Sequence, residues 1–144
     1  MLNTRLIHPQ ILAALAASGH YSQVLVADGN FPIAGNRGPN AAIVHLNLAP
    51  GMVDAVSVLD ALLTVVPVQA ATVMEPPSDY APEIHAIYQD KLGAHVAWSA
   101  MERWSFYEKI ASPRTTLMIA TGEQRRFANL LLEIGVVKLA AESF

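Results

Sequence analysis

One stretch decides how this chain folds: His20-Tyr21-Ser22-Gln23-Val24-Leu25-Val26-Ala27-Asp28-Gly29-Asn30-Phe31-Pro32. Its centre is a continuous apolar run, which is typical of a β-strand covered on both faces, and we place that strand at residues 23–27. A histidine precedes the strand and an aspartate opens the loop after it. A side chain that titrates near neutral pH and a carboxylate therefore lie at opposite ends of one short element.

Helical and extended patterns alternate along the rest of the chain. They predict helices at residues 9–18, 52–65, 82–92 and 99–111, and further strands at residues 42–48, 69–74, 95–98, 115–120 and 129–134. Gly19 is interpreted as a left-handed cap of the first helix, and Ser99 with Glu102 as a capping box that starts the last one. Alternating elements predict an α/β fold: a single domain over residues 1–144, with a largely parallel central sheet flanked by helices.

The composition of the chain favours self-association and excludes several kinds of site. Charged residues make up only 15% of the 144 residues, against roughly 25% in typical soluble domains, so we expect apolar surface to be buried against other subunits. The formal charge of −3 includes no basic block, and no nucleic-acid partner is expected. The chain has no cysteine, which excludes disulfides, thiolate nucleophiles and cysteine-based zinc sites.

No part of the sequence has the pattern of a targeting or membrane segment. Residues 1–10 lack the apolar core of a signal peptide. The most apolar region, residues 61–74, is interrupted by Thr64, Pro67 and Gln69 and is too short for the ~20 residues of a membrane helix. We therefore expect a soluble, cytoplasmic protein that does not bind a membrane.

His20 and Asp28 are the first candidates for chemistry. A histidine whose charged form is stabilised by a nearby carboxylate suits proton transfer. The plainer interpretation is a solvated His20 and an Asp28 that only bonds the backbone of Asn30 in a turn. Eight residues apart across a strand, the two side chains meet only if the loop folds back or another subunit contributes. Ligands sit beyond the carboxyl ends of strands, so Asp28 and residues 121–123 can line a common crevice.

Arg103 and Tyr107 are a second candidate pair, because residues four apart share one face of a helix. They either present a guanidinium and a phenol to a polyhydroxylated ligand, or belong to an amphipathic helix that buries Phe106 and Ile110. No metal or cofactor is predicted. The histidines at positions 8, 20, 45, 85 and 95 have no compact ligand spacing, and the glycines after Asp28 match neither a Walker loop nor a dinucleotide fingerprint.

Three segments are similar to the motifs of one known family, and together they span nearly the whole chain in the right order. The first runs from Pro9-x-Ile11-Leu12 through residues 19–32. The second is Glu102-Arg103-Trp104-Ser105-Phe106-Tyr107-Glu108, and the third joins Thr121-Gly122-Glu123 to Phe127-Ala128-Asn129-Leu130-Leu131-Leu132 and Gly135-Val136. All three resemble the fucose mutarotase and ribose pyranase family, and the second resembles the Arg-Phe-x-Phe-Tyr-Glu segment of fucose mutarotases.

The resemblance implies an isomerase that interconverts the α and β anomers of a free monosaccharide without a cofactor, with L-fucose as the nearest known substrate. It also implies ring-shaped decamers with each site at a subunit boundary. By carry-over, His20 is the catalytic acid/base, and the substrate-binding residues are Asp28, Arg103, Tyr107, Phe127 and Asn129. The alternatives are a D-ribose pyranase, which exchanges pyranose and furanose forms, a non-catalytic sugar-binding protein, or a purely structural oligomer.

Phe127 departs from the family pattern, which usually has a tyrosine at this position. The missing hydroxyl removes a donor and an acceptor, and an unmet polar partner costs about 1–3 kcal/mol. Either Tyr107 or a water takes its place, or the substrate differs, or the activity is lower. The sequence assigns no role to the neighbouring Arg125 and Arg126.

Overall fold

The computed structural model describes residues 1–140, so the end of the predicted 1–144 domain lies outside the described residues. Its elements alternate as predicted: α1 (Pro9–Ala16), β1 (Gln23–Ala27), a 3₁₀ turn (Ala34–Asn36), β2 (Ala42–His45), α2 (Ala55–Leu63), β3 (Val68–Met74), α3 (Glu83–Leu92), β4 (Ala97–Met101), α4 (Arg103–Ile110), β5 (Thr115–Ala120) and β6 (Leu130–Ile134).

The strands form one six-stranded sheet in the order β2-β5-β1-β6-β3-β4. The pairs β1–β5, β2–β5 and β3–β4 are parallel, whereas β6 runs antiparallel to both β1 and β3. The first five strands therefore share one direction, which confirms the largely parallel sheet. We name the end where these five strands finish and β6 begins the carboxyl end of the sheet, and the opposite end the amino end.

Strand β1 lies in the interior of the sheet, and all five of its residues are buried. Because side chains alternate along a strand, Val24 and Val26 join the apolar cluster that α1, α2 and α3 complete, while Leu25 and Ala27 join a second cluster with α4. Helices thus cover both faces of the sheet, as the apolar run of β1 predicted.

The end of the first helix differs from the prediction that Gly19 caps it. Helix α1 ends at Ala16, and Ala17, still right-handed at φ −87°, caps it by donating its N–H to the Ala13 carbonyl, while the Ser18 N–H donates to the Leu15 carbonyl. The left-handed residue before β1 is Tyr21, with φ 71°, and its N–H donates to the Ile134 carbonyl at 2.9 Å. A backbone bond to β6 therefore fixes the reversal, and that bond has no local sequence signal.

The capping box of Ser99 and Glu102 is also wrong. Ser99 lies within β4, which is shifted from the predicted residues 95–98, and its hydroxyl is 3.0 Å from that of Thr72 on β3. Glu102 is itself the residue before α4, and its carboxylate accepts from the N–H groups of Trp104 and Ser105 at 2.7 and 3.1 Å. A carboxylate in this place satisfies the free donors of the helix start without a serine.

Two apolar segments form shorter elements than predicted. Strand β2 stops at His45 instead of residue 48, and α2 covers Ala55–Leu63 instead of residues 52–65. Met52 is outside the helix because its backbone makes hydrogen bonds within the preceding loop. Its N–H donates to the Ala49 carbonyl, and its carbonyl accepts from the Leu48 N–H. The longest helix in the described part of the chain, α3, has 10 residues, and none there has the length and apolar character to cross a membrane.

Candidate functional site

Polar side chains converge at the carboxyl end of the sheet. Asp28 follows β1 and Asn129 precedes β6, and since these strands pair antiparallel, the two residues are neighbours. The Asn129 Oδ1 atom accepts from the Asp28 N–H at 2.7 Å. Asp28 is 8% exposed and Asn129 is 5% exposed, so this bond holds two nearly buried polar residues in fixed places.

The carboxylate of Asp28 has an environment that favours its neutral form. Burial raises the pKa of Asp28, and the negative charge of Glu123 adds to the increase, while backbone N–H groups of Asn30 and Phe31 work against it. The Asn30 N–H donates to Asp28 Oδ1 at 2.9 Å, which confirms the predicted turn. The same oxygens remain suited to accept hydrogen bonds from a ligand hydroxyl.

Helix α3 holds the segment that carries Phe127 and Asn129. Phe127 has a left-handed φ of 61°, and its carbonyl accepts from His85 Nε2 at 2.7 Å. One turn further along α3, the Tyr88 hydroxyl donates to the Ala128 carbonyl at 2.7 Å. Burial lowers the pKa of His85 and raises the pKa of Tyr88, so both side chains stay neutral donors. These two bonds stabilise the backbone that presents Asn129.

Arg103 and Phe127 line one open cleft at this end of the sheet. The cleft has a volume of about 440 Å³, and its wall includes Met74, Glu75 and Glu102. The two residues come from segments that are far apart in sequence, yet the family resemblance assigns both to substrate binding. The structure therefore brings Arg103 and Phe127 together.

Tyr107 lies on α4 beside Arg103, but its ring is part of a packed aromatic group. Its ring meets Phe31 edge to face at 5.4 Å and Trp104 at 5.8 Å. Phe106 and Ile110 of the same helix are fully buried, as the amphipathic interpretation predicted, and Arg103 is exposed. Trp104 is 70% exposed and is therefore not a core residue.

A second crevice lies on the β5 side of Asp28, between the loop after β1 and residues 121–124. Gly29 donates its N–H to the Glu123 carbonyl at 2.8 Å, and together with residues 121–124 it lines a cleft of about 390 Å³. The sequence predicted that Asp28 and residues 121–123 line a common crevice. Residues 121–123 do line this cleft, but Asp28 does not, and the neighbouring Gly29 and Asn30 line it instead.

The two arginines without a predicted role have different neighbours. Arg125 pairs with the buried carboxylate of Glu123 at 2.8 Å. Burial alone would raise the pKa of Glu123, but hydrogen bonds and charge from Arg125 hold that pKa below its ordinary value. The Arg126 guanidinium lies 5.4 Å from the ring of Phe127 and 5.8 Å from that of Tyr80. Sequence patterns did not indicate Tyr80 or His85 as neighbours of the site, since the residue that both contact, Phe127, is distant from them in the chain.

His20 lies at the amino end, away from every other predicted site residue. Strand β1 lies between His20 and Asp28, and its five residues span about 16 Å at about 3.3 Å per residue. The imidazole is exposed, with Nε2 at 2.9 Å from Gln69 Oε1 and its ring stacked on Tyr21 at 3.8 Å. Within one chain, His20 and Asp28 do not share a site.

No metal centre is evident in residues 1–140, where no three His, Asp or Glu side chains converge to hold an ion. The histidines at positions 8, 20, 45, 85 and 95 lie on different elements. His85 instead bonds the Phe127 carbonyl, and the His8 Nδ1 atom accepts from the Ile11 N–H at the start of α1.

Comparison with known proteins gives matches along nearly the entire chain. Residues 1–137 match the profile of the RbsD / FucU transport protein family. D-ribose pyranase 2 of Streptomyces griseus subsp. griseus is 31% identical over 137 residues, which cover 94% of this chain and 98% of that protein. Fucose mutarotase of Homo sapiens is 32% identical over 143 residues, covering 93% and 92%. The crystal structure of FucU from Bifidobacterium longum is 34% identical, with a TM-score of 0.72 over 92% of this chain and 96% of that one.

Proposed function

Because the chain belongs to the RbsD / FucU transport protein family, we propose that it is a monosaccharide mutarotase. It interconverts the α and β anomers of a free sugar in the cytoplasm, and L-fucose is its preferred substrate. Relatives of similar identity carry the names of two sugar isomerases, D-ribose pyranase and fucose mutarotase, so the family supports the reaction class more strongly than the choice of sugar.

The observation that carries the proposal is the polar arrangement at the carboxyl end of the sheet. A hydrogen bond of 2.7 Å joins Asp28 and Asn129, and Arg103 lines a cleft together with Phe127. A carboxylate, an amide and a guanidinium offer acceptors and donors at fixed positions, and the aromatic ring of Phe127 offers an apolar surface. Such a set suits a sugar, which presents hydroxyls on its edges and C–H groups on its faces.

The reaction needs only a proton transfer that is reversible. The base takes the proton of the anomeric hydroxyl, the bond from the anomeric carbon to the ring oxygen breaks, and the ring oxygen receives a proton. The carbonyl of the open chain turns over, and the same steps in reverse close the ring on its other face. We assign the proton transfer to His20, since an imidazole both accepts and donates near neutral pH.

His20 then has to come from a second copy of the chain. It is exposed at the amino end of the sheet, and the length of β1, about 16 Å, separates it from Asp28. We propose a ring-shaped homo-oligomer, a decamer by resemblance, in which His20 of one copy faces Asp28 and Asn129 of the next. Exposed apolar side chains on the loop before α2 support contact between copies: Leu48 is 79% exposed, Met52 55% and Val53 41%.

Arg103 and Tyr107 support fucose over ribose, because they stand in the Phe-Tyr-Glu context of fucose mutarotases. D-ribose pyranase is the second candidate, and the relative from Streptomyces griseus subsp. griseus supports it. Phe127 supports a third candidate, a sugar-binding protein without catalysis, because it lacks the hydroxyl that the family tyrosine supplies.

Saturation-transfer NMR on L-fucose, D-ribose and a panel of other aldoses tests the proposal. We expect protein-dependent exchange between anomers that is fastest for L-fucose and that His20→Ala removes while the circular dichroism spectrum is unchanged. Exchange between ribopyranose and ribofuranose alone would identify a pyranase. Folded protein that exchanges no sugar above the buffer rate would contradict the proposal, and calorimetry would then separate a sugar-binding protein from an oligomer that binds none.

A further inference from the structure

We infer that Gln69 is the positioning residue for His20, which fixes its tautomer and selects Nδ1 as the atom that exchanges a proton with the sugar. This inference rests on the proposed function, in which His20 moves the proton. It starts from the contact between Gln69 Oε1 and His20 Nε2 at 2.9 Å.

Gln69 occupies an irregular point of β3 that turns its side chain toward the amino end. In the pairing of β3 with β6, Val68 lies opposite Ile134 and Ala70 opposite Glu133, so Gln69 is skipped. Such a bulge re-aims a side chain. Gly135 follows β6 at this point, and a Cβ atom there would lie 3.3 Å from the Cβ and 3.5 Å from the Oε1 of Gln69. A glycine at position 135 thus avoids crowding the first carbon of the Gln69 side chain.

Tyr21 holds the other side of the imidazole. Its ring is stacked on His20 with centroids 3.8 Å apart and an angle of 19° between the planes. The left-handed φ of 71° at Tyr21 turns the chain sharply before β1, and the bond from its N–H to the Ile134 carbonyl at 2.9 Å keeps that turn in place. The ring of His20 is therefore set by a stacking contact on one face and a hydrogen bond at one nitrogen.

The bond to Gln69 has a consequence for the proton on His20. An amide oxygen only accepts, so Nε2 must carry the hydrogen, and a neutral imidazole then has its lone pair on Nδ1. Nδ1 takes the proton of the anomeric hydroxyl, and the imidazolium returns a proton to the ring oxygen as the ring opens. Because Nε2 carries a hydrogen in both the neutral and the charged imidazole, the bond to Gln69 is kept in both charge states.

Two charged residues lie on the segments next to this ring. Arg114 lies over Tyr21 at 6.0 Å from the ring centroid, and Glu133 on β6 pairs with Gln23 of β1 and Ala70 of β3. A carboxylate at position 69 would therefore introduce a negative charge directly at Nε2, where the structure has an uncharged amide.

Gln69→Leu and Gln69→Glu test the inference, with the exposed Gln10→Leu as the matched control. ¹⁵N NMR should show the Nε2–H tautomer of His20 in the native protein and in Gln10→Leu, and a mixture of tautomers in Gln69→Leu. Anomer exchange by Gln69→Leu should fall by roughly 10- to 100-fold, as for lost outer partners of metal-bound histidines, with the KM for sugar unchanged. Gln69→Glu should retain exchange but shift the acid limb of its pH profile upward by about one unit.

The Nδ1–H tautomer in the native protein would overturn the inference, as would Gln69→Leu with unchanged tautomer and unchanged rate. Should Gln69→Leu fail to fold, an unmoved acid limb in Gln69→Glu overturns it equally. A native protein that exchanges no sugar would contradict the proposed function and the proton step with it. The tautomer is read without any sugar, so it decides the positioning of His20 independently.

Discussion

The two ends of β1 both carry polar side chains, but the structure holds them in different ways. At the carboxyl end, Asp28 and Asn129 are 8% and 5% exposed and are bonded to each other and to the backbone. At the amino end, His20 is exposed and is held by one hydrogen bond and one stacked ring.

This difference fits the proposed division of work, in which the carboxyl end binds the sugar and His20 transfers the proton. Side chains that must match the hydroxyls of a ligand need a rigid position, which burial and α3 provide through the bonds of His85 and Tyr88. A side chain that serves the site of a neighbouring copy has to project from the surface. Under the proposed function, the carboxyl end is a nearly complete half-site, and the amino end supplies one group to the half-site of a neighbouring copy.

The largest expected effect comes from separating the two ends in different copies. Expressed alone, each of the variants His20→Ala and Asp28→Asn should exchange anomers more slowly than the native protein. The rate should fall by about 10²–10⁴-fold for His20→Ala, which removes the acid/base. Co-expression in equal amounts should restore about a quarter of native exchange, because random mixing in a symmetric ring gives that share of boundaries two intact halves. Saturation-transfer NMR on the purified mixed oligomer measures the recovery.

Recovery requires that His20 and Asp28 meet across a boundary between copies. If each chain carried a whole site, no mixture of the two variants could contain an intact one. A mixed oligomer as inactive as its two parents would therefore contradict the shared site, while native exchange by a monomer, measured by sedimentation, would contradict it from the other side.

The sequence predicted the parts of the fold that depend on local pattern. The apolar run of β1 predicted a strand covered on both faces, and the alternation of elements predicted the largely parallel sheet. The left-handed Tyr21 and the cap at Glu102 were missed, because the first depends on a bond to Ile134 and the second competes with an equally plausible serine. Local sequence carries neither piece of information.

From the sequence, the residues of the candidate site could be predicted only where they belong to a recognisable motif. The structure brings Asp28 together with Asn129 and Arg103 together with Phe127, but sequence spacing gave no sign that His85 and Tyr88 of α3 support residues 127–129. Those donors bind backbone carbonyls some 40 residues away, at separations of 42 and 40 positions. Contacts of that kind follow from the folded chain and not from any pattern within one element.

A smaller expected effect is a difference in stability between variants at the two ends of β1. Asn129→Ala removes the acceptor of the Asp28 N–H and leaves that buried donor unpaired, which should lower the free energy of unfolding by about 1–3 kcal/mol. His20→Ala should change it by no more than about 0.5 kcal/mol, since the side chain is exposed. Urea unfolding followed by circular dichroism measures both.

Asn40→Ala is the matched control for Asn129, because its exposed side chain donates to the Pro113 carbonyl at 2.9 Å. It should cost less than Asn129→Ala, as its partners remain accessible to water. Equal losses for His20→Ala and Asn129→Ala would mean that the two ends are equally rigid, and the comparison would fail.

The smallest expected effect is a pH dependence of the stability at the carboxyl end, where His85 bonds the Phe127 carbonyl. Burial lowers the pKa of His85 below the ordinary 6.5, so the folded state binds fewer protons than the unfolded state between the two values. The stability that neutral His85 contributes is therefore fully present above pH 6.5 and is lost as the pH falls through the lower folded pKa.

His85→Gln, whose amide can still donate to Phe127, should cost about 1 kcal/mol or less near neutral pH. This loss of stability should shrink when urea unfolding is repeated at about pH 5. The exposed His45→Gln is the control and should show no such change. A loss for His85→Gln that stays constant with pH would mean that His85 does not stabilise residues 127–129.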